Sequence, residues 1–483
     1  MLPPTPHPEF DRALQWLNAR ITDPTGARYL TPRTPEERQH EFDAQITRMA
    51  DFLAFAGNPH TRYPAIHVAG TSGKGSVTVM LAALLTGMGF KTGAHVSPYL
   101  QLPNEKLLLN GHMIPPAAFV ETVDEFRTVY DAWAQGDERH RGDKSLRYEE
   151  AWTALAFCWL ARQNVDWAVI ETAMGGRYDP TNLLPARLAV ITNVGMDHET
   201  QIGPTLADIA WHKAGIIKKD ALAITAETKP EVLVILQAEA DAKSVTLHRL
   251  GEHFDYTVHH LNGDGATLTV HAPHHTYEHV QIAMRGKFQP LNAALALAAL
   301  DLLFHHAAPN QQSAIPNPQS IKTLQFPGRM EVLQPEVPSR PAPTVLLDGA
   351  HNPDKMAALV ESVQALYPGQ KATLLFGALK IKNAPVMLET LLPIANRFLF
   401  APLDVTGKPS STPDELVTLL HTLAPDLPAE TVPSPEAGIQ RALATLPPDA
   451  LLIITGSIYF IGLARDHWHP KEQLLLKLTP PRS

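Results

Sequence analysis

Short apolar runs alternate with longer helical segments along most of the chain. Ala65–Ala69 is an apolar run typical of a buried strand, and Ser76–Gly87 has the length and composition of a helix that follows it. Strand-like runs recur further along, each followed by a polar or glycine-containing turn: Trp167–Ile170, Leu188–Thr192 and Ala221–Thr225. Strands that alternate with helices predict an α/β fold with a mostly parallel sheet covered on both faces.

The pattern changes between about Phe254 and Met284. Two segments with alternating polar and apolar residues flank Asn262-Gly263-Asp264-Gly265, a sequence that favours a β-hairpin. We therefore predict a small antiparallel extension on the first domain. The region is also rich in histidine, but the spacing fits no compact zinc-ligand pattern, and a solvated hairpin explains it: His259, His260, His271, His274, His275 and His279.

A polar segment separates two parts of the chain. His305–Ser320 is rich in Pro, Gln, Asn and Ser, which indicates a linker near a domain boundary. Beyond it the alternation resumes, with strand candidates at Thr344–Leu347, Thr373–Phe376, Arg397–Phe400 and Leu451–Ile454. A length of 483 residues also favours two or three domains. We predict an N-terminal domain at residues 1–328 and a smaller α/β domain at residues 329–483.

Composition narrows the class of protein. The chain has 40 Lys+Arg against 49 Asp+Glu, without the basic excess that binding to long nucleic acid usually requires. Cys158 is the single cysteine, so no disulfide can form within the chain, and its apolar neighbours favour a buried residue over a catalytic thiol. Met1–Phe10 lacks the features of a signal peptide, and Leu451–Ala464 is too short to span a bilayer. We expect a soluble, cytoplasmic protein that binds neither nucleic acid nor membranes.

A glycine-rich motif lies between the first strand and its helix, and consists of Gly70, Thr71, Ser72, Gly73, Lys74, Gly75 and Ser76. Glycines let successive backbone N–H groups turn toward a phosphate, the helix N-terminus adds positive potential, and the lysine adds a cation. The spacing departs from the usual phosphate loop, because Gly75 separates the lysine from the hydroxyl residue. A tight strand–helix turn is the alternative, but the lysine and the flanking elements favour phosphate binding.

Polar side chains follow two other predicted strands of the same sheet. Glu171 comes directly after one strand, and His198 follows another within Gly195-Met196-Asp197-His198. Ligand sites form at the carboxyl ends of strands in open α/β sheets, so both residues should converge near the phosphate loop. Glutamate suits magnesium, whereas imidazole is less usual for that ion, and ordinary capping and loop roles are the alternative. Lys213 ends a helical stretch, and composition leaves open whether it is structural or chemical.

A third group of candidates lies in the second domain. Asp348 ends an apolar strand, where a carboxylate accepts hydrogen bonds from ribose hydroxyls in other α/β proteins. Arg329, near the domain junction, is placed to reach a triphosphate as a fixed cation. Each signal is weak alone, since the Asn352-Pro353 pair after the strand is also a simple turn and helix start.

The motifs also occur in a characteristic order: HVAGTSGKGSV, HVSPYL, SLRYEEAWTALAF, ETAMGGRYDPTN, ITNVGMDH, KAGIIK, NAALAL, FPGRMEV, LDGAHNP and TGSIYFIG. From about Ile46 to Gly462, this set resembles the folylpolyglutamate synthase/dihydrofolate synthase family of the Mur ligase group. The resemblance implies a phosphate-loop domain and a Rossmann-like domain with catalysis in the cleft between them. It also implies an ATP-dependent ligase, expected to be a monomer, that adds L-glutamate to a folate-type carboxylate through an acyl phosphate and releases ADP and phosphate.

The resemblance also assigns roles to residues at matching positions. Nucleotide contacts would come from the glycine-rich loop together with Asn292 for adenine, Arg329 for phosphate and Asp348 for ribose. Magnesium ligands would be Ser97, Glu171 and His198, with Lys213, as a carbamate, helping to hold a second magnesium ion. Catalytic roles fall on Lys74, Lys213 and His198. Residues that bind the folate or pteroate acid or the glutamate would be Tyr99, Glu149, Gly176, Arg177 and His351.

Some positions depart from the family's pattern and bear on the acceptor. Glu149-Glu150 stands where the family usually has an aromatic residue followed by glutamate, and Tyr99 and Phe288 each stand where histidine is common. Lys380–Asn383 replaces an Asp-Lys-Asp stretch. Two alternatives remain: a Mur-type ligase acting on a different acid, with another acceptor pocket around Tyr99, Glu105 and Glu149, and a phosphate-loop nucleotide-binding protein without ligase activity. The second alternative leaves Arg329, Asp348 and the Lys213 motif without a role.

Overall fold

The structure is a computed structural model and describes residues 7–27, 30–31, 33–136, 145–305, 315–334 and 342–478. Its helices are α1 (Pro8–Asn18), α2 (Pro35–Phe55), α3 (Lys74–Gly87), α4 (Pro116–Gln135), α5 (Tyr148–Arg162), α6 (Glu199–Ile202), α7 (Leu206–Ala214), α8 (Pro230–Ala242), α9 (Gln289–His305), α10 (Pro353–Leu366), α11 (Ala384–Leu391), α12 (Pro413–Leu423), α13 (Pro435–Thr445), α14 (Ile458–Arg465) and α15 (Lys471–Lys477).

The strands are β1 (Ala65–Ala69), β2 (Thr92–His95), β3 (Leu107–Leu109), β4 (His112–Met113), β5 (Trp167–Glu171), β6 (Leu188–Ile191), β7 (Leu222–Thr225), β8 (Leu247–Arg249), β9 (Asp255–Asn262), β10 (Gly265–His271), β11 (Thr276–Ile282), β12 (Glu331–Leu333), β13 (Thr344–Leu347), β14 (Ala372–Phe376), β15 (Ala395–Phe400), β16 (Ala429–Thr431) and β17 (Leu451–Thr455).

The N-terminal domain is built on an eight-stranded sheet in the order β4-β3-β2-β5-β1-β6-β7-β8. The strands from β2 to β8 in this order run parallel, and β3 and β4 add an antiparallel edge. Every residue of β1 is buried, as its apolar sequence predicts for a central strand. Since β5 and β6 flank β1, the segments that follow these three strands meet at one edge of the sheet.

Helix α3 begins at Lys74, two residues before the predicted start at Ser76. Gly73, at the N-cap, has φ of +83°, a conformation that glycine adopts without strain. The next residue therefore already has helical geometry, and the lysine stands at the N-terminus of the helix. Helix α3 packs against the alanine-rich, almost wholly buried α9, which explains why neither helix has a polar face.

The predicted antiparallel extension is present, but it has three strands in the order β11-β10-β9. Gly265 pairs with Asn262 across the turn that the sequence indicated. The third strand, β11, returns after a short turn that follows His271. Its buried residues Tyr277, Val280 and Ile282 belong to the core cluster that includes α9, and the Tyr277 hydroxyl donates to Asp301 of α9 at 3.1 Å. Among the histidines, His259 Nε2 bonds Thr269 Oγ1 at 2.8 Å and His275 Nδ1 bonds the buried Asp301 at 2.5 Å.

The C-terminal domain has a six-stranded sheet in the order β12-β13-β17-β14-β15-β16, parallel except for β12. This confirms the predicted α/β class and the four strand candidates. Of the predicted linker, residues 306–314 lie outside the described residues, while Pro318–Ile321 forms a short 3-10 helix packed on α3.

The two domains exchange residues at their junction. Leu100, from the segment after β2, lies in a core cluster of the C-terminal domain. Leu475 of α15 is fully buried in the core of the N-terminal domain, among residues of α1, α4 and α5. The boundary at 328/329 stays a prediction, and the structure adds that the last described helix packs back on the first domain. Within the described ranges, no helix combines the length and apolarity needed to cross a membrane.

Candidate active site

The glycine-rich loop is held in place by the segment that follows β6. Ser72 N–H donates to the Asn193 side-chain oxygen at 2.8 Å, and Thr71 N–H donates to the Asn193 carbonyl at 2.9 Å. The Thr71 hydroxyl donates to the Gly195 carbonyl at 3.0 Å and lies 2.9 Å from its N–H. The Thr192 hydroxyl donates to the Ser72 carbonyl at 2.6 Å. The loop conformation therefore depends on residues 192–195 as well as on its own glycines.

Glycine is required at two points of this loop. A Cβ at Gly70 would lie 1.8 Å from Thr192 Oγ1, and a Cβ at Gly73 would lie 2.6 Å from Asn292 Oδ1. Asn292, the predicted adenine contact, thus abuts the loop. Its side-chain N–H donates to Gln289 at 2.9 Å. The Ser72 hydroxyl is buried without a hydrogen-bond partner, so a polar ligand at the loop would satisfy it.

Lys74 and Glu171 face each other at the start of α3. Lys74 Nζ donates to the Gly70 carbonyl at 3.1 Å and lies 3.9 Å from Glu171 Oε1. The other Glu171 oxygen accepts the Ser97 N–H at 3.0 Å. Three residues predicted at separate points of the sequence are therefore brought together by the adjacency of β2, β5 and β1.

Arg329 and Asp348 occupy the facing edge of the C-terminal domain. Both Asp348 oxygens accept backbone N–H groups at 2.9 Å, from Met330 and Ala350. The Arg329 guanidinium lies 5.4 Å from the centre of the Phe326 ring. That ring is also 2.9 Å from the position of a Cβ on Gly75, so Phe326 links the arginine to the phosphate loop.

Charged groups from both domains act on the Glu171 carboxylate. Burial raises its pKa, while Lys74, the Ser97 N–H, Arg329 and Lys355 act in the opposite direction. The net result is a carboxyl group with a raised pKa in a desolvated position, where a bound cation would favour its charged form. The residues predicted for phosphate binding therefore converge from distant parts of the chain.

Lys213 is buried near Lys74, and the His198 side chain beside it is one-third exposed. Burial is the main cause of the low pKa of each: that of the Lys213 ammonium lies well below its usual value, and that of His198 falls to about 3. Lys74 lowers both further. A neutral amine and a neutral imidazole are thus favoured beside the phosphate loop. His198 has φ of +58° at the N-cap of α6, which turns the chain sharply after β6.

Asp197 is a site residue that sequence reasoning missed. Lys382 Nζ lies 2.5 Å from its Oδ1, and Asn352 Nδ2 donates to its Oδ2 at 3.0 Å. Lys355 Nζ and His351 Nε2 lie 3.9 and 4.0 Å from the same carboxylate. Only spatial neighbours across the domain junction reveal this cluster. The one local signal was the position of Asp197 beside His198.

His351 has a defined hydrogen-bonding pattern at this cluster. Its Nδ1 lies 2.7 Å from the Gly349 carbonyl and so donates to it, which leaves Nε2 to accept from Lys355 Nζ at 3.0 Å. Burial and the neighbouring Lys355 and Lys382 hold the His351 pKa well below its usual value. The predicted substrate contact thus lies at the cleft as a neutral imidazole.

Tyr99 and Glu149 meet a second lysine cluster, which also spans both domains. Lys106 Nζ is 3.7 Å from Glu149 and lies over the Trp152 ring at 4.7 Å. From the C-terminal domain, Lys408 Nζ donates to the Tyr459 hydroxyl at 2.8 Å, and the Tyr459 ring lies 6.1 Å from that of Tyr99. This places the predicted acceptor residues at one side of the cleft.

Two predicted substrate contacts occupy packing positions. A Cβ on Gly176 would lie 2.7 Å from the His212 carbonyl, so glycine permits α7 to approach. The Arg177 side chain pairs with Glu239 and stacks on Trp211 at 4.1 Å. The roles of Gly176 and Arg177 in substrate binding stay predictions without a supporting contact. Phe288, one of the departures, packs against the core of the C-terminal domain.

Comparison with known proteins defines the class. Residues 68–300 match the family described as Mur ligase middle domain, and residues 328–458 match Mur ligase, glutamate ligase domain. These two domains enclose the loop, Glu171, Arg329 and Asp348, so the chain is an ATP-dependent ligase of the Mur type.

Relatives specify the family. The chain is 32% identical to a dihydrofolate synthase/folylpolyglutamate synthase of Mycobacterium tuberculosis over 76% of this chain and 75% of that protein. It is 31% identical to the Escherichia coli protein of the same name over 72% and 75%. Folylpolyglutamate synthase from M. tuberculosis, solved with ADP, superposes with a TM-score of 0.81 at 27% identity, covering 95% and 98% of the two chains. This chain belongs to the folylpolyglutamate synthase/dihydrofolate synthase family. The predicted ATP-dependent ligation of glutamate to folates is confirmed at the level of the family, and neither alternative is favoured.

Proposed function

We propose that this chain joins L-glutamate to a folate-type carboxylate, using ATP, in the cleft between its two domains. The observation that carries the assignment of the site is the position of Glu171. Its buried carboxylate lies 3.9 Å from Lys74 of the phosphate loop, and the charge of Arg329 from the other domain stabilises its ionised form. A triphosphate between these cations would be neutralised from both sides.

The resemblance to the family implies a reaction in two steps. The acceptor's carboxylate oxygen attacks the γ-phosphorus, and the bond from that phosphorus to ADP breaks. The glutamate amine then attacks the acyl carbon, loses a proton, and phosphate leaves. Lys74 and Arg329 would stabilise the charge that shifts onto the phosphate oxygens, since fixed cations are most effective in a desolvated site. Asp348 would accept hydrogen bonds from the ribose hydroxyls.

The residues at the loop fit a magnesium ion. Glu171 supplies a hard carboxylate, Ser97 lies against it, and the low pKa of His198 leaves its imidazole in the neutral form that binds metals. Across the described part of the chain, no three His, Cys, Asp or Glu side chains form a metal cluster. Nucleotide phosphates and water would complete the coordination, as is usual for magnesium. When bound, the ion would neutralise charge on the phosphates.

Lys213 is suited to carry a carbamate, which would help hold a second magnesium ion. Carbamylation requires the neutral amine, and burial together with Lys74 lowers the Lys213 pKa well below its usual value. The product would place two anionic oxygens among the cations Lys74 and Lys355, where an ammonium would be repelled. Asp197 and Asp179 act in the opposite direction, and the Lys213 pKa stays low in spite of them.

The acceptor is tested by ADP release with L-glutamate and a panel of acids. We expect turnover with dihydropteroate or tetrahydrofolate and little with non-folate acids. Tyr99 and Glu149 depart from the family's pattern at predicted acceptor positions. The relative turnover of pteroate, dihydropteroate and tetrahydrofolate would therefore show which acceptor these residues favour. Faster turnover with a non-folate acid would instead support a Mur-type ligase for another acceptor.

The cleft is tested by two variants of the C-terminal domain. Arg329→Ala and Asp348→Ala should each weaken ATP use, although both residues lie far along the chain from the loop. Arg397→Ala is the matched control, because Arg397 pairs with Glu430 away from the cleft. If both cleft variants used ATP like the control, the assignment of the nucleotide site to the cleft would be wrong.

A further inference from the structure

Asp197 connects the domains through a buried carboxylate. It lies in the segment after β6 of the N-terminal domain, yet the side chains that bind it come from the C-terminal domain: Asn352 at 3.0 Å and Lys382 at 2.5 Å. Lys382 and Asp197 are each 8% exposed in their side chains. A charged pair this well shielded is screened little by salt and requires its partner.

The same carboxylate balances further positive groups. Lys355 Nζ lies 3.9 Å away, and Lys74 and Lys382 are close enough to act electrostatically on Lys355. Bringing the C-terminal domain onto the N-terminal domain therefore gathers several cations in one desolvated place. Without the negative charge of Asp197, these cations would repel one another and oppose docking of the domains.

The segment that carries Asp197 also holds the phosphate loop. Asn193 accepts the Ser72 N–H, and Gly195 exchanges hydrogen bonds with the Thr71 hydroxyl. A Cβ on Gly195 would lie 1.7 Å from Asp354 Oδ2, so the C-terminal domain packs directly on this segment. Five residues, 193–197, thus join the loop to the domain interface.

We propose that Asp197 is a positioning residue that holds the C-terminal domain docked against the phosphate loop through Lys382 and Asn352. The inference rests on the proposed function, because the docked arrangement is the one that brings Arg329 to the loop. Asp197 itself touches neither nucleotide nor acceptor in this role. It acts through the domain that it holds and through the segment that shapes the loop.

The first test measures domain docking without any folate. Spin labels are placed at Val234 and Val386, which are 69% and 37% exposed in the N- and C-terminal domains, after Val→Cys substitution in a Cys158→Ala background. In Asp197→Asn the distance distribution between the labels should broaden and shift toward longer distances. Glu361→Gln, the matched control, removes the solvent-exposed interdomain pair with Lys287 and should leave the distribution unchanged.

The second test measures turnover in the same variants. Asp197→Asn should lower kcat on the order of 10²-fold, because misplacing catalytic groups by about 1 Å has effects of that size. The KM for ATP should rise as well, because an undocked C-terminal domain also removes Arg329 and Asp348 from the nucleotide. Lys382→Gln removes the same contact from the other domain, and its kcat should fall to a similar extent. This second variant tests the proposal if the Asp197 variant does not fold.

The results separate positioning from simple stabilisation. A lower melting temperature with an unchanged distance distribution and unchanged kcat in Asp197→Asn and Lys382→Gln would overturn the proposal. The label distances require no assumption about the acceptor. A failure of folate ligation in the wild type would therefore contradict the proposed function and leave the docking result independent of it.

Discussion

Lys106 Nζ lies 3.7 Å from the Glu149 carboxylate, with the lysine side chain almost wholly buried and that of the glutamate half-exposed. Lys106 also lies over the Trp152 ring, and Lys408 approaches from the other domain. Glu149 thus lowers the net positive charge of the side of the cleft predicted to receive the acceptor.

Removing this carboxylate should change acceptor preference. In Glu149→Gln, the uncompensated Lys106 should favour acceptors that carry more carboxylates. The ratio of kcat/KM for a triglutamate acceptor to that for a pteroate acid should rise by up to about fivefold, the effect of a partly exposed ion pair. Glu252→Gln, which alters an exposed pair with Arg249, serves as the control. Equal changes for both acceptors would argue against a role of Glu149 in selecting the acceptor.

Lys74→Ala should abolish ligation while the fold survives. The γ-phosphate would lose a cation that faces the developing charge, and we expect a loss on the order of 10²-fold or more in kcat. The thermal midpoint should change little, because Lys74 lies at the loop and its ion pair with Glu171 is at 3.9 Å. Lys91→Ala provides a surface control. Near-normal turnover of Lys74→Ala would contradict the phosphate-loop assignment.

Lys213 variants should distinguish a carbamate from a cation. Lys213→Ala should lose activity, and added acetate should restore part of it by supplying a carboxylate. Lys213→Arg should stay inactive despite its positive charge, since a guanidinium forms no such adduct. The adduct itself is measured by ¹³C NMR after incubation with ¹³C-bicarbonate. Normal activity of the arginine variant, or no carbamate signal in the active, magnesium-loaded enzyme, would exclude the idea.

Acid should destabilise the N-terminal domain through His67. This residue of β1 is fully buried, its Nε2 lies 2.8 Å from Thr181 Oγ1, and burial lowers its pKa to about 3. In the unfolded chain its pKa is about 6.5, so between these values the unfolded state binds more protons. Stability is therefore full above pH 6.5 and is lost as the pH falls toward 3, with about 2 kcal/mol lost by pH 5 from this residue.

The measurement is urea unfolding of wild type and His67→Gln at pH 7 and pH 5. The difference in unfolding free energy between the two pH values should be smaller in the variant by about 2 kcal/mol. His279→Gln is the control, since His279 lies on an exposed part of β11. Equal pH dependence in wild type and His67→Gln would contradict the prediction.

The strands were predictable because burial on both faces leaves continuous apolar runs, as in β1 and β17. The predicted start of α3 lies two residues after the observed one, because the sequence does not reveal the left-handed φ of Gly73. The edge strands β3 and β4 were missed, since three- and two-residue strands carry little periodicity.

Site residues that lie at strand ends could be predicted from the sequence. Site residues that meet only when the two domains dock could not. Glu171 ends β5 and Lys74 follows the neighbouring β1, so parallel-sheet geometry brings them together. Asp197 and Lys382 are 185 residues apart, and no local pattern connects them. Arg177 shows the reverse case, because a motif position suggested chemistry while the side chain pairs with Glu239 and Trp211.

The return of α15 to the N-terminal domain limits how the cleft opens. The chain passes from the N-terminal to the C-terminal domain near Gly328 and returns before Lys471. Leu475 of α15 then packs in the core of the N-terminal domain. These two connections define a line, and two rigid domains joined at two points rotate relative to each other about the line between them. Substrates would therefore enter by a rotation with one axis, and the gap would widen most on the side farthest from both connections.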